Sequence, residues 1–248
     1  MLAVQKKMDV ISNNMANAGT NGYKKDVVVF ESFPDVLTKI IKDYGSRSGS
    51  VSSIGTMELG HDVGEVYTYY TQGQLQNTGN YLDMAISGSE NAFFTILVTD
   101  RQGNEQVFYT RDGAFTKAAD GSLRTKDGHF VLGENGPIYL DSGSFEVAED
   151  GTILQNDQVV DRLLIREFED TRALRKYGNN LVEEREGAGV RPFSGTIQQG
   201  FVELSNVNII REMVDMITVM RAYEANARVL QAMDTTLDKA VNQVGVVK

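Results

Sequence analysis

The chain has 248 residues, a formal net charge of −10 and no cysteine. It therefore cannot form disulfides, thiolate metal sites or a cysteine nucleophile, and its acidic balance argues against nucleic acid as a partner. No apolar run approaches the ~18 residues that a membrane span needs, so we expect no membrane insertion. Residues 1–15 mix apolar and polar side chains and lack the continuous apolar stretch of a cleavable secretion signal.

A short amphipathic helix is predicted for residues 1–18. Its apolar positions recur in steps of four and three residues, which is the spacing of a coiled-coil seam. The seam positions are Val4, Met8, Ile11, Met15 and Ala18. Gly19 would then end the helix as a glycine cap. Asn13, Asn14 and Asn17 cluster at this end and have two interpretations: side-chain hydrogen bonding, with another chain as one possible partner, or a fraying helix terminus.

A second amphipathic helix is predicted to begin at Ser32, with Pro34 in its first turn and Gly45 at its end. Its apolar face would consist of Phe33, Val36, Leu37, Ile40, Ile41 and Tyr44. Residues 46–53 are rich in serine and glycine, a composition typical of a flexible linker. We therefore expect an N-terminal assembly segment, residues 1–30, followed by a helix and linker within residues 31–64.

Residues 65–200 change from helical to strand-like periodicity. Short apolar runs alternate with turn signals, and many of these are Asp-Gly or Asn-Gly pairs that supply the positive φ of tight hairpin turns. The turn signals are Thr78-Gly79-Asn80, Gln102-Gly103-Asn104, Asp112-Gly113, Asp120-Gly121, Asp127-Gly128, Asn135-Gly136 and Asp150-Gly151. Turns repeated at such short intervals are typical of an antiparallel meander or barrel.

The longest predicted element is a helix over residues 205–244, which contain neither proline nor glycine. Its four-three seam continues over five heptads, with Asp234 as its one charged position. The seam consists of Ile209, Met213, Met216, Met220, Tyr223, Ala227, Leu230, Asp234, Leu237, Val241 and Val244. From the first seam position, Ile209, to Val244, about 36 helical residues span roughly 54 Å, which is too long for a compact domain to cover. We therefore expect residues 201–248 to form an assembly helix that another helix or subunit covers.

Together these elements predict an α+β fold: a mainly antiparallel β central domain flanked by N- and C-terminal coiled-coil-forming α-helices. The sequence contains no P-loop, dinucleotide-binding, nucleophile-elbow or zinc-protease motif. Its histidines, His61 and His129, lie far apart and near no acidic cluster of metal-ligand spacing. Paired carboxylates such as Glu183 and Glu184 stay open as glycosidase-like acids. We expect no catalytic residue, no metal and no cofactor.

Several stretches carry a shared signature, in the same order over nearly the whole chain. They read DVISNNMANA with GYK (residues 9–24), QGQLQNTGN with LDMAI (72–86), YTRDGAF with DGSL (109–123), and QGFVELSNVN with RAYEAN (199–226). These stretches resemble the bacterial flagellar axial proteins of the rod and hook group. Chain length and the RAYEAN run favour a rod protein of the distal or proximal type.

The resemblance implies a structural subunit of the flagellar basal-body rod, without catalysis. Such subunits would polymerise helically through their terminal helices and transmit torque from motor to hook. The implied partners are copies of the chain itself, other flagellar rod and hook proteins, and the flagellar type III export apparatus. The alternatives are a hook-type axial protein, a coiled-coil adaptor and a cell-wall-acting enzyme.

The two seams and the terminal signatures together indicate an assembly interface. It comprises Val4, Met8, Ile11, Asn13, Asn14, Met15, Asn17, Ser205, Asn206, Asn208, Ile209, Met213, Met216, Met220, Tyr223, Asn226, Ala227, Leu230, Leu237 and Val241. A second set belongs to the family motif in the β domain. It comprises Gly73, Gly79, Asn80, Asp83, Thr110, Arg111, Asp112, Gly113 and Phe115.

Overall fold

The computed structural model describes residues 2–32, 36–41, 51–57, 61–99, 103–141, 143–156, 158–178, 180–185 and 187–244. The chain divides into two compact units. The first unit comprises Met1–Ser12, Val27–Tyr67 and Met213–Lys248, and the second comprises Asn13–Asp26 and Thr68–Glu212.

The first unit holds most of both terminal helices and four strands. The helices are α1 (Leu2–Ala16) and α2 (Ile209–Lys239), and α2 continues as a π-helical turn, Ala240–Val244. The strands are β1 (Asp26–Ser32), β2 (Val36–Ile41), β3 (Val51–Met57) and β4 (His61–Thr68). β1 pairs with β4, and β2 forms an antiparallel pair with β3. The predicted short N-terminal and long C-terminal helices are therefore confirmed.

The predicted second helix is wrong over residues 36–41, which form β2. Val36 lies opposite Met57, and Ile41 lies opposite Val51. Because β2 contains four β-branched residues, strand propensity outweighs the helix-like spacing of its apolar positions. The predicted linker is likewise strand over residues 51–53, in β3. Ser32, where the helix was predicted to begin, is the last residue of β1. The rest of both predictions, residues 33–35 and 42–50, lies outside the described residues.

The second unit is built on a ten-stranded sheet whose resolved pairings are antiparallel. The strands of the unit are β5 (Leu75–Asn77), β6 (Met84–Ser87), β7 (Ala92–Thr99), β8 (Glu105–Thr110), β9 (Phe115–Lys117), β10 (Leu123–Thr125), β11 (Phe130–Gly133), β12 (Gly136–Pro137), β13 (Glu146–Val147), β14 (Thr152–Gln155), β15 (Gln158–Arg162), β16 (Ile165–Phe168), β17 (Leu174–Tyr177), β18 (Leu181–Glu184), β19 (Val190–Arg191), β20 (Thr196–Gln199) and β21 (Phe201–Glu203). A 3-10 turn spans Thr171–Ala173. The predicted antiparallel β domain is confirmed.

The ten-stranded sheet runs β17-β18-β8-β7-β11-β10-β9, with β12 on β11 and β16 joining β7 to β19. A three-stranded sheet, β13-β14-β15, and two pairs, β20-β6 and β21-β5, complete the unit. The larger apolar core contains Phe94 and Phe115, whose rings meet edge to face with centroids 5.3 Å apart. A smaller cluster surrounds Phe168, which is fully buried. β21 pairs with β5 and is the last strand before the C-terminal helix.

Two predicted features of the chain's turns and ends need correction. Gly121, Gly128, Gly136 and Gly151 have the predicted positive φ, but Gly113 does not. Gly19 also lacks a positive φ, so the prediction of a glycine cap is wrong. The chain leaves α1 through turns, with the Ala18 N–H donating to the Met15 carbonyl at 3.3 Å and the Thr20 N–H to the Asn17 carbonyl at 3.0 Å.

The C-terminal helix begins four residues later than predicted, at Ile209 rather than Ser205. The Asn208 side chain accepts a hydrogen bond from the Arg211 N–H at 3.1 Å and so caps the first turn. Ser205 Oγ accepts from the Val207 N–H at 3.2 Å, which holds the preceding residues in a turn. Local side-chain hydrogen bonds therefore set the start of α2.

Candidate functional site

The bases of the two terminal helices carry a cluster of polar side chains in the second unit. We call this cluster the helix-base junction. It consists of Asn14, Tyr23, Lys24, Lys25, Arg111, Glu203, Asn206 and Glu212. Its members lie in or next to the N-terminal signature, the β-domain motif and the C-terminal signature. The junction thus connects three parts of the sequence that are far apart along the chain.

Glu212 ties the first turn of α2 to the end of α1. Its side chain is 1% exposed and forms an ion pair with Lys25. Asn14 Nδ2 also donates to Glu212 Oε2 at 3.3 Å and to the Asp26 carbonyl at 2.8 Å. Asn14 Oδ1 accepts from the Asp26 N–H at 3.0 Å and from the Tyr23 hydroxyl at 3.2 Å. A buried carboxylate without such partners would destabilise the fold, so these contacts fix both helix bases together.

Glu203 holds two cations at the centre of the junction. Its Oε1 accepts from Lys24 Nζ at 2.6 Å and from the Gly73 N–H at 2.8 Å, and its Oε2 accepts from Arg111 Nε at 2.8 Å. All three charged side chains are at most 4% exposed. Burial lowers the pKa of Lys24 to about 8 and also lowers the pKa of Arg111, although the carboxylate of Glu203 opposes both shifts.

Asn206 connects the N-terminal turn to the segment that enters α2. Its Oδ1 accepts from the Lys25 N–H at 2.8 Å. Its Nδ2 donates to the Tyr69 carbonyl and to Thr71 Oγ1, both at 2.9 Å. Every hydrogen-bonding atom of this amide therefore has a partner within the chain, which fixes the path into the helix.

The other predicted asparagines also form hydrogen bonds inside the chain. Asn17 Nδ2 donates to Asn13 Oδ1 at 2.7 Å and to the Asn13 carbonyl at 3.0 Å. The Tyr23 hydroxyl reaches Asn13 Oδ1 at 3.2 Å. Tyr23 is fully buried, and burial together with Asp26 raises its pKa. Of the two interpretations of these asparagines, side-chain hydrogen bonding is confirmed; their role between subunits stays a prediction.

The predicted motif residues of the β domain are structural. A Cβ on Gly73 would lie 1.9 Å from the Leu204 carbonyl oxygen, and one on Gly113 would lie 1.6 Å from that of Met84. Asp83 accepts from Thr78 Oγ1 at 2.6 Å and from Asn80 Nδ2 at 3.1 Å, which closes the turn that contains Gly79. Thr110, Asp112 and Phe115 also make contacts inside the second unit. The Thr110 hydroxyl donates to the Asn180 carbonyl at 3.1 Å, Asp112 Oδ1 accepts from the Ala114 N–H at 3.0 Å, and Phe115 packs on Phe94.

Most seam residues of α2 remain exposed. The chain buries Glu212 and Val219, which lie beside the seam rather than on it. Met213 is 52% exposed, Leu230 49% and Leu237 63%. Ile209, Met220, Tyr223, Asn226 and Val241 are also exposed, while Met216 and Ala227 are half-buried. Exposed apolar stripes are often interaction surfaces, and the role of this seam as an assembly interface stays a prediction.

The α1 seam is better covered. Ile11 is buried, and Val4, Met8 and Met15 are half-buried.

In the part of the chain that the structure describes, no group of histidine and acidic side chains could hold a metal ion. No helix over those same residues is long and apolar enough to cross a membrane.

Sequence reasoning missed the ionic part of the junction, namely Lys24, Lys25, Glu203 and Glu212. One signal was available: Glu203 is a lone charge within the apolar run that leads from β21 to Leu204. Its partners lie 92 and 179 residues away in the sequence, so spacing alone could not identify them.

Comparison with known proteins matches three family models to the chain. They describe a flagella basal body rod protein (residues 1–24), a flagellar hook protein FlgE/F/G D1 domain (residues 85–155) and a flagellar basal body rod FlgEFG protein C-terminal region (residues 198–244). The chain is 35% identical over 253 aligned residues to the flagellar basal-body rod protein FlgG of Buchnera aphidicola subsp. Baizongia pistaciae, covering 96% of this chain and 94% of the relative.

Two further relatives are similar over almost their full length. The rod protein FlgF of Mesorhizobium japonicum is 34% identical over 249 aligned residues, covering 98% of this chain and 94% of the relative. The flagellar hook-basal body complex protein FlhO of Bacillus subtilis is 30% identical over 257 aligned residues, covering 99% and 95%.

Proposed function

The chain belongs to the family of flagellar basal-body rod proteins, and from this premise we propose that its two terminal helices form the contacts through which subunits polymerise. The chain is a structural subunit of the rod in the flagellar basal body. Family membership also implies assembly with other rod and hook proteins. The single observation that carries the proposal is the exposed apolar seam of α2.

The proposed polymer is helical and open-ended. A head-to-tail contact that does not close into a ring produces a filament, and a rod needs such a contact. Each copy would cover the exposed seam of α2 with helices of neighbouring copies, in coiled-coil-like packing. Such packing, carried from copy to copy, would transmit torque from the motor to the hook.

We propose no catalytic role for the chain. Its buried carboxylates are engaged by cations or several donors: Glu203 by Lys24 and Arg111, and Glu167 by Arg191, Ser89 and Ser194. A general acid or base needs an atom that is free to reach a substrate. We also propose the flagellar type III export apparatus as a partner and no insertion into a membrane.

Two charged substitutions on the seam test the assembly proposal. Met213→Glu combined with Met220→Glu places two carboxylates on exposed apolar positions, so we expect the monomer to fold normally. Polymerisation should be lost, because each copy would have to bury these charges at the interface. The measurements are sedimentation of the purified protein and swimming of a strain that carries only this copy.

Thr218→Glu is the matched control. It adds a charge to an exposed position of the same helix, away from the seam. We expect this variant to polymerise and to support swimming. Normal polymerisation of the Met213→Glu, Met220→Glu variant would contradict the proposal.

A further inference from the structure

A cleft of about 430 Å³ opens beside the turn that follows α1. We call it the acceptor cleft. Its walls come from the N-terminal turn at Asn21, the loop at Asp112, the β10–β11 turn at Asp127, and Tyr177, Gly178 and Asn180 between β17 and β18. All of these residues belong to the second unit. None of the contacts in the helix-base junction uses this space.

The acceptor cleft contains acceptor atoms that lack full partners. Asn180 Oδ1 is buried and has no hydrogen-bond partner among the described residues. Asp112 Oδ2 has a long 3.4 Å contact with Asn180 Nδ2, while its Oδ1 accepts from the Ala114 N–H at 3.0 Å. Burial raises the pKa of Asp112, and the charge of Asp127 adds to this shift while Lys126 opposes it. A cationic donor entering the cleft would pair with the Asp112 carboxylate.

The same cleft has an aromatic wall. Tyr177 is 56% exposed, and its ring packs on Phe108 with centroids 4.9 Å apart. A guanidinium group combines several donors in one plane with a face that stacks on aromatic rings. Carboxylate and amide oxygens beside a tyrosine therefore fit arginine better than lysine.

One face of α2 carries matching chemistry. Ile210, Val214 and Ile217 follow each other at helical spacing and are 76%, 57% and 53% exposed. Arg221 lies one turn beyond Ile217 on this face and is exposed. Arg228 continues the same line, but Glu224 lies 3.9 Å from it. An apolar stripe that ends in an arginine would be complemented by a partner surface that contains an acidic cleft.

We propose that the acceptor cleft of one copy receives Arg221 from α2 of a second copy. The inference rests on the proposed function, because it requires that copies of the chain associate. Charge complementarity identifies the occupant: the carboxylates of Asp112 and Asp127 outnumber the one cation that lines the cleft, Lys126, and Arg221 offers the planar cation. This contact would fix the register between neighbouring copies, which apolar helix packing alone specifies weakly.

A charge exchange in the full-length chain tests the pairing. Asp127→Arg and Arg221→Asp each place like charges opposite one another, and both positions are exposed, so each monomer should fold normally. We expect each single variant to raise the protein concentration needed for polymerisation at least about tenfold. The double variant restores opposite charges and should polymerise within about threefold of the original chain.

Asp141→Arg is the matched control, since it makes the same charge change at an exposed position outside the cleft. It should polymerise as the original chain does. Thermal unfolding of each monomer checks that folding is unchanged. A double variant no better than the single variants, or an Asp127→Arg variant that behaves like Asp141→Arg, would overturn the pairing alone. Failure of the unmodified chain to polymerise would overturn the proposed function as well.

Discussion

At the scale of single residues, Glu203 is the position at which the N-terminal signature, the β domain and the C-terminal signature meet. Its carboxylate neutralises Lys24 and Arg111 where neither cation reaches bulk water. A buried ion group of this kind adds little net stability by itself, but removal of one member leaves uncompensated charge. The buried charges of the junction are therefore all paired only when the three segments are folded together.

Glu203→Gln should lower the free energy of unfolding by about 3–5 kcal/mol, because it leaves two buried cations facing a neutral amide. Glu134→Gln is the control, since it removes a carboxylate that is 57% exposed and lies 3.6 Å from Arg162. That exposed pair should contribute less than about 1 kcal/mol. Urea unfolding of the two purified variants measures the difference. Equal losses of unfolding free energy in the two variants would show that Glu203 contributes no more than an exposed ion pair does.

The sequence predicted side-chain hydrogen bonds for Asn13, Asn14 and Asn17 but left a fraying terminus open. Residue type alone could not decide between hydrogen bonding and fraying, because asparagine is typical of both. Glu212 decides it for Asn14 by supplying a partner 198 residues away. Such pairings depend on the folded path of the chain, so a single sequence cannot reveal them.

At the scale of secondary-structure elements, the close approach of two backbone segments fixes Gly113. The sequence predicted a hairpin turn here, yet the reason for glycine is the Met84 carbonyl oxygen, 1.6 Å from where a Cβ would lie. Gly113→Ala should therefore destabilise the fold by about 1–3 kcal/mol, because β6 must move aside.

Gly19→Ala is the control for this substitution. Gly19 is exposed, has no positive φ, and a Cβ there meets nothing within 4 Å. We expect a change within about 0.5 kcal/mol, measured by urea unfolding under the same conditions. A Gly113→Ala variant as stable as Gly19→Ala would rule out the close approach as the reason for glycine.

Periodicity predicted α1, α2 and the antiparallel β domain, because each has one dominant repeat over many residues. It failed for β2, where Val36, Ile40 and Ile41 fit a helical face and a strand equally well. β-branched side chains and pairing with β3 decided in favour of the strand. Short apolar segments are ambiguous in this way, whereas the 31-residue α2 is not.

At the scale of the whole molecule, α2 is fixed at its first turn through Glu212 and exposes apolar side chains along most of its length. A helix used only within its own chain would bury such a face. The fixed first turn of α2 and its exposed apolar side chains together indicate a subunit that associates through this helix. Asp234, which interrupts the seam, has an exposed side chain. In a polymer this carboxylate would face a cation of a neighbouring copy or a water-filled space inside the polymer.

The most direct test of this account is a density map of the assembled polymer at side-chain resolution. The account predicts that Met213, Met220 and Leu237, all exposed in the single chain, pack against apolar side chains of neighbouring copies. A polymer in which these three residues still face solvent, with contacts made by the β unit alone, would contradict it.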